Sequence, residues 1–163
     1  MSRTVNIGLI GFGTVGGGVY NLIRKNRDTI ALRTGITLNI KTVCDLRTDV
    51  VTAAAPDVKV TTRWQDIIEG PEIETVVELI GGINPAKSMI LGALQAGKNV
   101  VTANKKLLAE AGSEIFELTS HSLTKLGYEA AVGGGIPCIA ALKFGLVGNR
   151  FNSAMGILNG TTN

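Results

Sequence analysis

The feature that most constrains this sequence is a glycine-rich segment between a short apolar run and an amphipathic stretch. The run, residues 5–10, has the length and composition of a buried strand, and residues 15–26 have the spacing of a helix. The segment between them consists of Gly11, Phe12, Gly13, Thr14, Val15 and Gly16. A strand, a tight glycine turn and a helix in that order predict the first half of a βαβ unit.

The spacing of the three glycines predicts what this loop binds. Gly11 allows a sharp turn, Gly13 allows a ligand to approach the backbone, and Gly16 allows the helix to pack closely on the strand. The amides of Thr14 and Val15 would then face a pyrophosphate at the positive end of the helix, an interaction of about 0.3–1 kcal/mol, and up to about 2 kcal/mol in favourable geometry. The loop is therefore a candidate dinucleotide site, and the alternative is a tight turn with no ligand.

Short apolar runs alternate with helical patterns along the rest of the chain. Strands are predicted at 38–44, 58–61, 75–80, 99–102 and 127–132, and helices at 15–26 with a continuation toward 33, at 64–69, 85–96 and 111–125. Strands that alternate with helices pair in parallel through right-handed crossovers. The predicted fold class is α/β, a doubly wound parallel sheet of the Rossmann type.

The character of the sequence changes after residue 132. Three glycines followed by Ile136 and Pro137 predict a hinge-like turn, which leads into a helix through Leu146 and a strand at 151–158. We therefore expect a dinucleotide-binding domain at 1–132. Residues 133–163 are expected to be the beginning of a second, α+β domain for substrate binding and dimerisation, cut short within it.

Composition narrows the class of partner. The net charge of +3 is modest, and no run of Lys and Arg stands out, so nucleic acid is not an expected partner. No secretory segment and no apolar stretch of membrane-spanning length is present, so no membrane association is expected and the cytoplasm is the predicted location. Cys44 and Cys138 match no zinc or redox spacing and are expected to be reduced thiols.

The end of the second predicted strand bears on the choice of cofactor. Asp45 can accept hydrogen bonds from an adenosine ribose, as in NAD sites, whereas Arg47 can accommodate the 2′-phosphate of NADP. Lys59 or Arg63 could assist Arg47. Since both kinds of residue are present, the preference between NAD and NADP stays open, and both side chains could also be ordinary surface charges beside a strand end.

Two further strand ends lie where ligands of open α/β sheets bind. Ile80 and Gly81 follow one strand, and Thr102, Asn104 and Lys105 stand at the end of the next, so these residues are expected to line the cofactor. The ammonium of Lys105 could bind a substrate oxygen and exchange a proton with it, which contributes typically about 10²–10⁴-fold to a rate. A solvated lysine is the alternative, and it is the one expected for Lys106.

Several long strings of residues resemble the N-terminal half of homoserine dehydrogenase. They occur in the family's order along the whole chain: GLIGFGTVG at 8–16, VVELIGG at 76–82, GKNVVTANKK at 97–106, YEAAVGGGIP at 128–137 and LNGTTN at 158–163. The resemblance implies reversible NAD(P)-dependent reduction of aspartate 4-semialdehyde to homoserine, in threonine and methionine biosynthesis. It implies that Lys105 takes part in proton transfer at the junction of cofactor and substrate, and that the full-length protein is a homodimer.

The resemblance also implies a monovalent cation, usually sodium. Its ligands would be the side chain of Glu129 and the main-chain carbonyls of Val132, Gly134 and Ile136. Considered without the resemblance, Glu129 is a carboxylate at a strand edge. The glycine run nevertheless allows carbonyl-lined turns, and oxygen ligands suit hard cations.

One departure from the family limits the expected activity. The family's acidic substrate-binding residues and a second catalytic lysine lie downstream of the region that this chain matches, so the chain is expected to bind cofactor with little or no turnover. Two alternatives stay open. One is a related NAD(P)-dependent dehydrogenase of another small aldehyde or amino acid, against which the residues at 103–105 and 159–163 count. The other is a non-catalytic NAD(H)-sensing module.

Overall fold

A computed structural model describes residues 3–156 of the chain, and these form a parallel sheet with helices on both faces. The strands are β1 (Arg3–Ile10), β2 (Ile36–Cys44), β3 (Lys59–Thr61), β4 (Thr75–Glu78), β5 (Asn99–Thr102) and β6 (Leu126–Gly127). The helices are α1 (Thr14–Lys25), α2 (Arg27–Thr34), α3 (Thr48–Ala54), α4 (Gln65–Glu69), α5 (Ala86–Gln95), α6 (Lys105–Ser120), α7 (Glu129–Val132) and α8 (Cys138–Ala140), and a π-helical turn at Ala141–Gly145 follows the last.

The order of the strands confirms the predicted doubly wound sheet. It runs β3-β2-β1-β4-β5-β6, and every pair of neighbours is parallel. The chain winds outward from β1 in one direction through β3 and then returns to lay β4 on the other side of β1. Crevices at the carboxyl ends of the strands open at such a reversal, and ligands of this fold bind there. The sheet therefore places the predicted loop at the edge where a ligand is expected.

Two hydrophobic clusters cover the two faces of the sheet. Successive residues of β4 show this division, since Val76 belongs to the cluster under α5 and α6, whereas Val77 belongs to the one under α1. Where a strand is buried on both faces, as β1 is at residues 7–10, its sequence is a continuous run of apolar residues and glycine rather than an alternating pattern. Each buried side chain such as Leu9 or Val100 contributes about 1.5–3 kcal/mol relative to exposure.

The first predicted helix is divided in two. Its expected course from 15 to 26, with a continuation toward 33, becomes α1 and α2, which meet at Asn26. The side-chain amide of Asn26 donates to the carbonyl of Leu22 at 2.9 Å and so satisfies the end of α1. Gly35 ends α2 in the left-handed conformation, with φ of +71°.

The predicted helix at 111–125 is wrong at both ends, because α6 begins at Lys105 and ends at Ser120. The side chain of Asn104 accepts a hydrogen bond from the amide of Leu107 at 3.1 Å, which is the geometry of an N-cap. Leu107 and Ile115 then form the buried stripe of the helix. This correction matters for function because it places Lys105 in the first turn of α6.

The strands predicted late in the chain are also corrected. The strand expected at 127–132 is observed at Leu126–Gly127 instead, and Glu129–Val132 form a short helix. The predicted strand at 151–158 is absent from residues 151–156, which have no regular structure, and Leu158 lies outside the described residues. The strand expected at 75–80 ends at Glu78, and α3 was not predicted.

The helix predicted after Pro137 is present as α8 and the π-helical turn that follows it. The domain boundary after residue 132 stays a prediction. Along residues 3–156, no helix combines the length and apolar character needed to cross a membrane.

Candidate functional site

The loops that follow β1 and β4 meet at the carboxyl edge of the sheet. The amide of Leu79 donates to the carbonyl of Ile10 at 2.8 Å, which joins the first residue after β4 to the end of β1. A Cβ added at Gly11 would lie 2.9 Å from Cγ2 of Ile80 and 3.0 Å from the main chain of Leu79. The two loops are therefore in contact and form one side of the cleft at the reversal of the sheet.

The amino end of α1 is open to an anion. No side chain caps it, and its first turn contains no acidic residue. The first amides of an α-helix have no partner within the helix, so those of Thr14 and Val15 are available to a ligand. Val15 is 56% exposed, which leaves this end of the helix at the surface. A phosphate here would satisfy amides that the protein itself does not cap.

The three glycines of the loop have different roles. A Cβ at Gly16 would lie 2.1 Å from the carbonyl oxygen of Gly11, so the contact between helix and loop requires glycine there. Gly11 has a φ of +96°, which L side chains rarely adopt. Gly13 has an ordinary φ of −77°, and a Cβ there would meet no atom of the described residues within 4 Å. Within the described residues, neither conformation nor packing thus requires glycine at position 13.

Asp45 and Arg47 are bonded to each other and to the glycine-rich loop. The amide of Phe12 donates to Oδ2 of Asp45 at 2.7 Å, and Nη2 of Arg47 donates to the carbonyl of Phe12 at 3.2 Å. Nε of Arg47 donates to Oδ1 of Asp45 at 3.1 Å. The hydrogen bonds from the Arg47 side chain, together with the amides of Arg47 and Phe12, outweigh burial and lower the pKa of Asp45 to about 2. The end of β2 is therefore hydrogen-bonded to the glycine-rich loop (residues 11–16, the candidate phosphate loop).

The two other basic residues considered for NADP differ in position. Arg63 follows the end of β3 at the same edge of the sheet, where it pairs with Asp66 at 3.4 Å. Lys59 begins β3 and lies further from that edge. Arg47, whose side chain is 56% exposed, is the basic group nearest to the loop that holds the candidate phosphate site.

A buried glutamate that the sequence analysis did not single out organises the next two strand ends. Glu78 is fully buried, and its Oε1 accepts hydrogen bonds from the amides of Ile80 at 2.9 Å and Gly81 at 3.1 Å. Its Oε2 accepts one from Oγ1 of Thr102 at 2.7 Å. The signal in the sequence is a single carboxylate at the end of an otherwise apolar strand, where desolvation makes a carboxylate costly.

Asn104 continues this arrangement to the start of α6. Its amide donates to Oγ1 of Thr102 at 3.0 Å, and its side-chain nitrogen donates to the carbonyl of Gly82 at 2.6 Å. Lys105, the first residue of α6, is exposed beside it. The structure therefore brings Ile80, Gly81, Thr102 and Asn104 together as predicted neighbours, with Lys105 next to them. Lys106 is also exposed.

Glu129 lies at the start of α7, after the last strand. Its Oε1 accepts from the amide of Ile139 at 2.8 Å, and its Oε2 from the amide of Ala140 at 2.7 Å. Burial by itself would raise the pKa of this carboxyl, but the hydrogen bonds from these amides bring it below its ordinary value. Glu129 therefore joins α7 to α8 and remains a carboxylate at neutral pH.

The three other predicted cation ligands lie in the turn between α7 and α8. Val132 ends α7, and Gly134 has a φ of +62°. Ile136 is 67% exposed, and its carbonyl accepts from the amide of Cys138 at 2.9 Å. Within residues 3–156, no cluster of three or more His, Cys, Asp or Glu side chains is arranged to hold a metal, so a cation in this turn would depend on main-chain oxygens.

The two cysteines are free thiols, as expected from their spacing. Cys44 is buried at the end of β2. Burial, with a contribution from the negative charges of Asp45 and Asp66, raises its pKa to about 11. A thiol of this kind is protonated at neutral pH and is a poor nucleophile.

Comparison with known proteins places these features in a family. The sequence profile of the homoserine dehydrogenase NAD-binding domain matches residues 11–129. The chain is 44% identical over 161 residues to the homoserine dehydrogenase of Neisseria gonorrhoeae, which covers 99% of this chain and 37% of that protein. The chain therefore spans little more than a third of the length of this relative.

Solved structures agree with the sequence comparison. The crystal structure of a homoserine dehydrogenase from Thiobacillus denitrificans matches with a TM-score of 0.84 and 42% identity, over 91% of this chain and 34% of that one. A hyperthermophilic archaeal homoserine dehydrogenase in complex with NADPH is similar in fold, with a TM-score of 0.69 and 24% identity over 86% of this chain and 48% of that one.

Proposed function

This chain belongs to the homoserine dehydrogenase family, and from that premise we propose that it binds NAD or NADP at the carboxyl ends of β1 and β4. In the complete enzyme this domain serves the reversible reduction of aspartate 4-semialdehyde to homoserine. The observation that carries the proposal is Gly13. It is a glycine that neither packing nor backbone conformation requires, at the uncapped amino end of α1. A pyrophosphate seated against the main chain explains both features.

The contacts of Asp45 and Arg47 support binding of either dinucleotide. Each carboxylate oxygen of Asp45 already accepts two hydrogen bonds, Oδ1 from the amide and Nε of Arg47 and Oδ2 from the amide of Phe12 and Nη2 of Arg47, so a ribose hydroxyl would have to displace one of these donors. Arg47 has an exposed guanidinium beside the loop and can meet a 2′-phosphate there. We therefore assign Arg47 the contact with NADP and Asp45 the support of the loop in both complexes.

Lys105 is the residue to which we assign proton transfer. Reduction of an aldehyde requires a hydride at the carbonyl carbon, which the dihydronicotinamide supplies when bound, and a proton at the carbonyl oxygen. Lys105 is exposed and directly follows Asn104, whose side chain bonds the turn after β4, and we assign the donation of that proton to its ammonium. In the reverse direction, the neutral amine takes the proton from the alcohol of homoserine.

The test of this assignment is Lys105→Ala in the complete enzyme. Loss of a positioned acid and base should lower kcat by about 10²–10⁴-fold, with an unchanged melting temperature. Steady-state kinetics measure the loss, and Lys106→Ala, the same change one residue away, is the matched control and should keep its activity. Activity of Lys105→Ala within a few-fold of the wild type would make this lysine an ordinary solvated residue.

The turn between α7 and α8 is the proposed place of a sodium ion. The donor set fits a hard monovalent cation, since Glu129 supplies a carboxylate with a lowered pKa and the turn supplies carbonyls at Val132, Gly134 and Ile136. The carbonyl of Ile136 already accepts from Cys138, and each oxygen of Glu129 accepts one amide, so the ion would share these acceptors. The role of Glu129 in the absence of the ion is to hold α8 against α7.

The binding proposal is tested with this chain itself. Titration of NAD⁺ and NADP⁺ into the wild type should reveal binding of at least one dinucleotide. Gly13→Val should abolish it because a side chain there occupies the space of the pyrophosphate. The variant should fold normally, since a Cβ at this position meets no described protein atom within 4 Å.

Gly18→Val provides the matched control, since Gly18 lies one turn further along α1 and a Cβ there also meets no described protein atom within 4 Å. It should bind like the wild type. Equal binding by Gly13→Val and the wild type would refute the placement of the pyrophosphate.

A further inference from the structure

Glu78 is a buried carboxylate that no cation neutralises. It is fully buried at the last position of β4, and within residues 3–156 no Lys, Arg or His side chain forms an ion pair with it. Burying a carboxylate costs several kcal/mol unless partners compensate, and an apolar side chain of similar volume is often the more stable choice. The hydrogen bonds that its two carboxylate oxygens accept therefore explain why a glutamate occupies this position.

Three hydrogen bonds to Glu78 join two strand ends. In the sheet, Glu78 is the register partner of Thr102, so the last residues of β4 and β5 lie side by side. Oε2 accepts from the hydroxyl of Thr102 at 2.7 Å, and Oε1 accepts from the amides of Ile80 and Gly81 at 2.9 and 3.1 Å. The carboxylate thus holds the turn after β4 with one oxygen and the turn after β5 with the other.

Each of these turns leads to part of the proposed dinucleotide site. The turn after β4 contacts the phosphate loop, since Ile80 lies against Gly11. The turn after β5 contains Asn104, whose amide donates to the same hydroxyl of Thr102 that bonds Glu78. Asn104 also caps α6, and Lys105 is the next residue. A chain of hydrogen bonds therefore runs from Glu78 through Thr102 and Asn104 to the start of the helix that carries Lys105.

We propose that Glu78 is a positioning residue that fixes Lys105 relative to the phosphate loop across the cleft. This inference rests on the proposed function, because it concerns the same reaction. Glu78 contributes to that reaction through other residues and does not contact substrate or cofactor. Its carboxylate replaces water around the amides of 80 and 81 and the hydroxyl of Thr102, so the two turns keep one relative position. A misplacement of about 1 Å can lower a rate by about 100-fold. A rigid connection between the two turns should therefore keep kcat high.

The experiment uses variants of the complete enzyme. It compares substitutions at the carboxyl ends of β4 and β5 with a substitution at the amino ends of the same two strands. Glu78→Gln keeps the volume but cannot accept from the amides of 80 and 81 and from the hydroxyl of Thr102 at the same time. Thr102→Val is nearly isosteric and removes the hydroxyl. Lys98→Met is the control: Lys98 is 7% exposed, and its Nζ donates to the carbonyls of Gly70 at 2.8 Å and Ile73 at 2.7 Å, at the amino ends of β4 and β5.

The expected results separate positioning from stability. Glu78→Gln and Thr102→Val should each lower kcat about 10–100-fold, and the double variant should be no worse than the more impaired single one, because both break the same connection. Lys98→Met should lower the melting temperature about as much as Glu78→Gln does. Its kcat and its KM for the dinucleotide should stay within about twofold of the wild type, since the buried contacts of Lys98 are remote from the cleft.

Two outcomes would overturn the inference. If Glu78→Gln keeps the wild-type kcat, or if Lys98→Met loses kcat as Glu78→Gln does, Glu78 is a structural residue only. In either case dinucleotide binding by the wild type, which Gly13→Val should abolish, would leave the proposed function standing. Absence of dinucleotide binding by the wild type would remove both.

Discussion

Single residues at the carboxyl edge combine loop structure with recognition of the ligand. Asp45 illustrates this, because a residue that sequence patterns associate with ribose binding also accepts the amide of Phe12 in the phosphate loop. Its partner Arg47 donates to both Asp45 and the carbonyl of Phe12. The two residues thus form one connection between β2 and the loop.

This connection predicts a dependence of stability on pH. The pKa of Asp45 in the folded chain is about 2, below the ordinary value of 3.8, so its contribution to stability is present above pH 3.8 and is lost as the pH falls toward 2. Asp45→Asn should therefore be less stable than the wild type at pH 7 by about 1 kcal/mol, because Arg47 is half exposed and solvent screens the pair.

Chemical denaturation of both proteins between pH 7 and pH 2 is the measurement. The difference in free energy of unfolding should be constant at neutral pH and should shrink below about pH 4 as Asp45 in the wild type is protonated. Glu110→Gln, which removes an equal charge from the exposed surface of α6, is the control, and its free energy of unfolding at pH 7 should be close to that of the wild type. A difference between Asp45→Asn and the wild type that stays constant down to pH 2 would contradict the role of the Asp45 carboxylate.

At the scale of elements, the sequence predicts best where one signal determines the structure. β1 and β4 were predicted because their inner residues are buried on both faces, and β5 was predicted with its observed bounds at 99–102. Gly11 and Gly16 also show the tight turn and the close packing that their spacing predicts. In these cases local composition and the tertiary environment favour the same conformation.

The missed elements depend on contacts that sequence spacing does not reveal. Helix α6 begins six residues before the predicted position because Asn104 both caps it and binds Gly82, which is distant in sequence. The segment after β6 turns into α7 because Glu129 accepts amides of α8. Glu78 was not predicted because its bond to Thr102 forms only when β4 and β5 pair, although its other two donors, the amides of Ile80 and Gly81, are close in sequence. The candidate site was thus predicted by its loops, whereas the residue that connects them was not.

At the scale of the whole molecule, binding and turnover are separable properties. One edge of the sheet carries the phosphate loop, the ends of β2, β4 and β5, and Lys105, and this edge is the proposed surface for the dinucleotide. The chain nevertheless spans 37% of the length of the Neisseria gonorrhoeae enzyme. Hydride transfer also requires a bound aldehyde and exclusion of water from the reacting atoms, and Lys105 is exposed here.

We therefore expect this chain alone to bind a dinucleotide but to reduce aspartate 4-semialdehyde at least about 10³-fold more slowly than a complete homoserine dehydrogenase, because orientation of the substrate and exclusion of water are lost. Oxidation of NADPH by the chain and by the complete enzyme, at equal occupancy by the dinucleotide, measures the difference. Gly13→Val sets the background rate for a chain that does not bind the cofactor. Turnover by the isolated chain within about tenfold of the complete enzyme would mean that one sheet edge both orients the aldehyde and protects it from water.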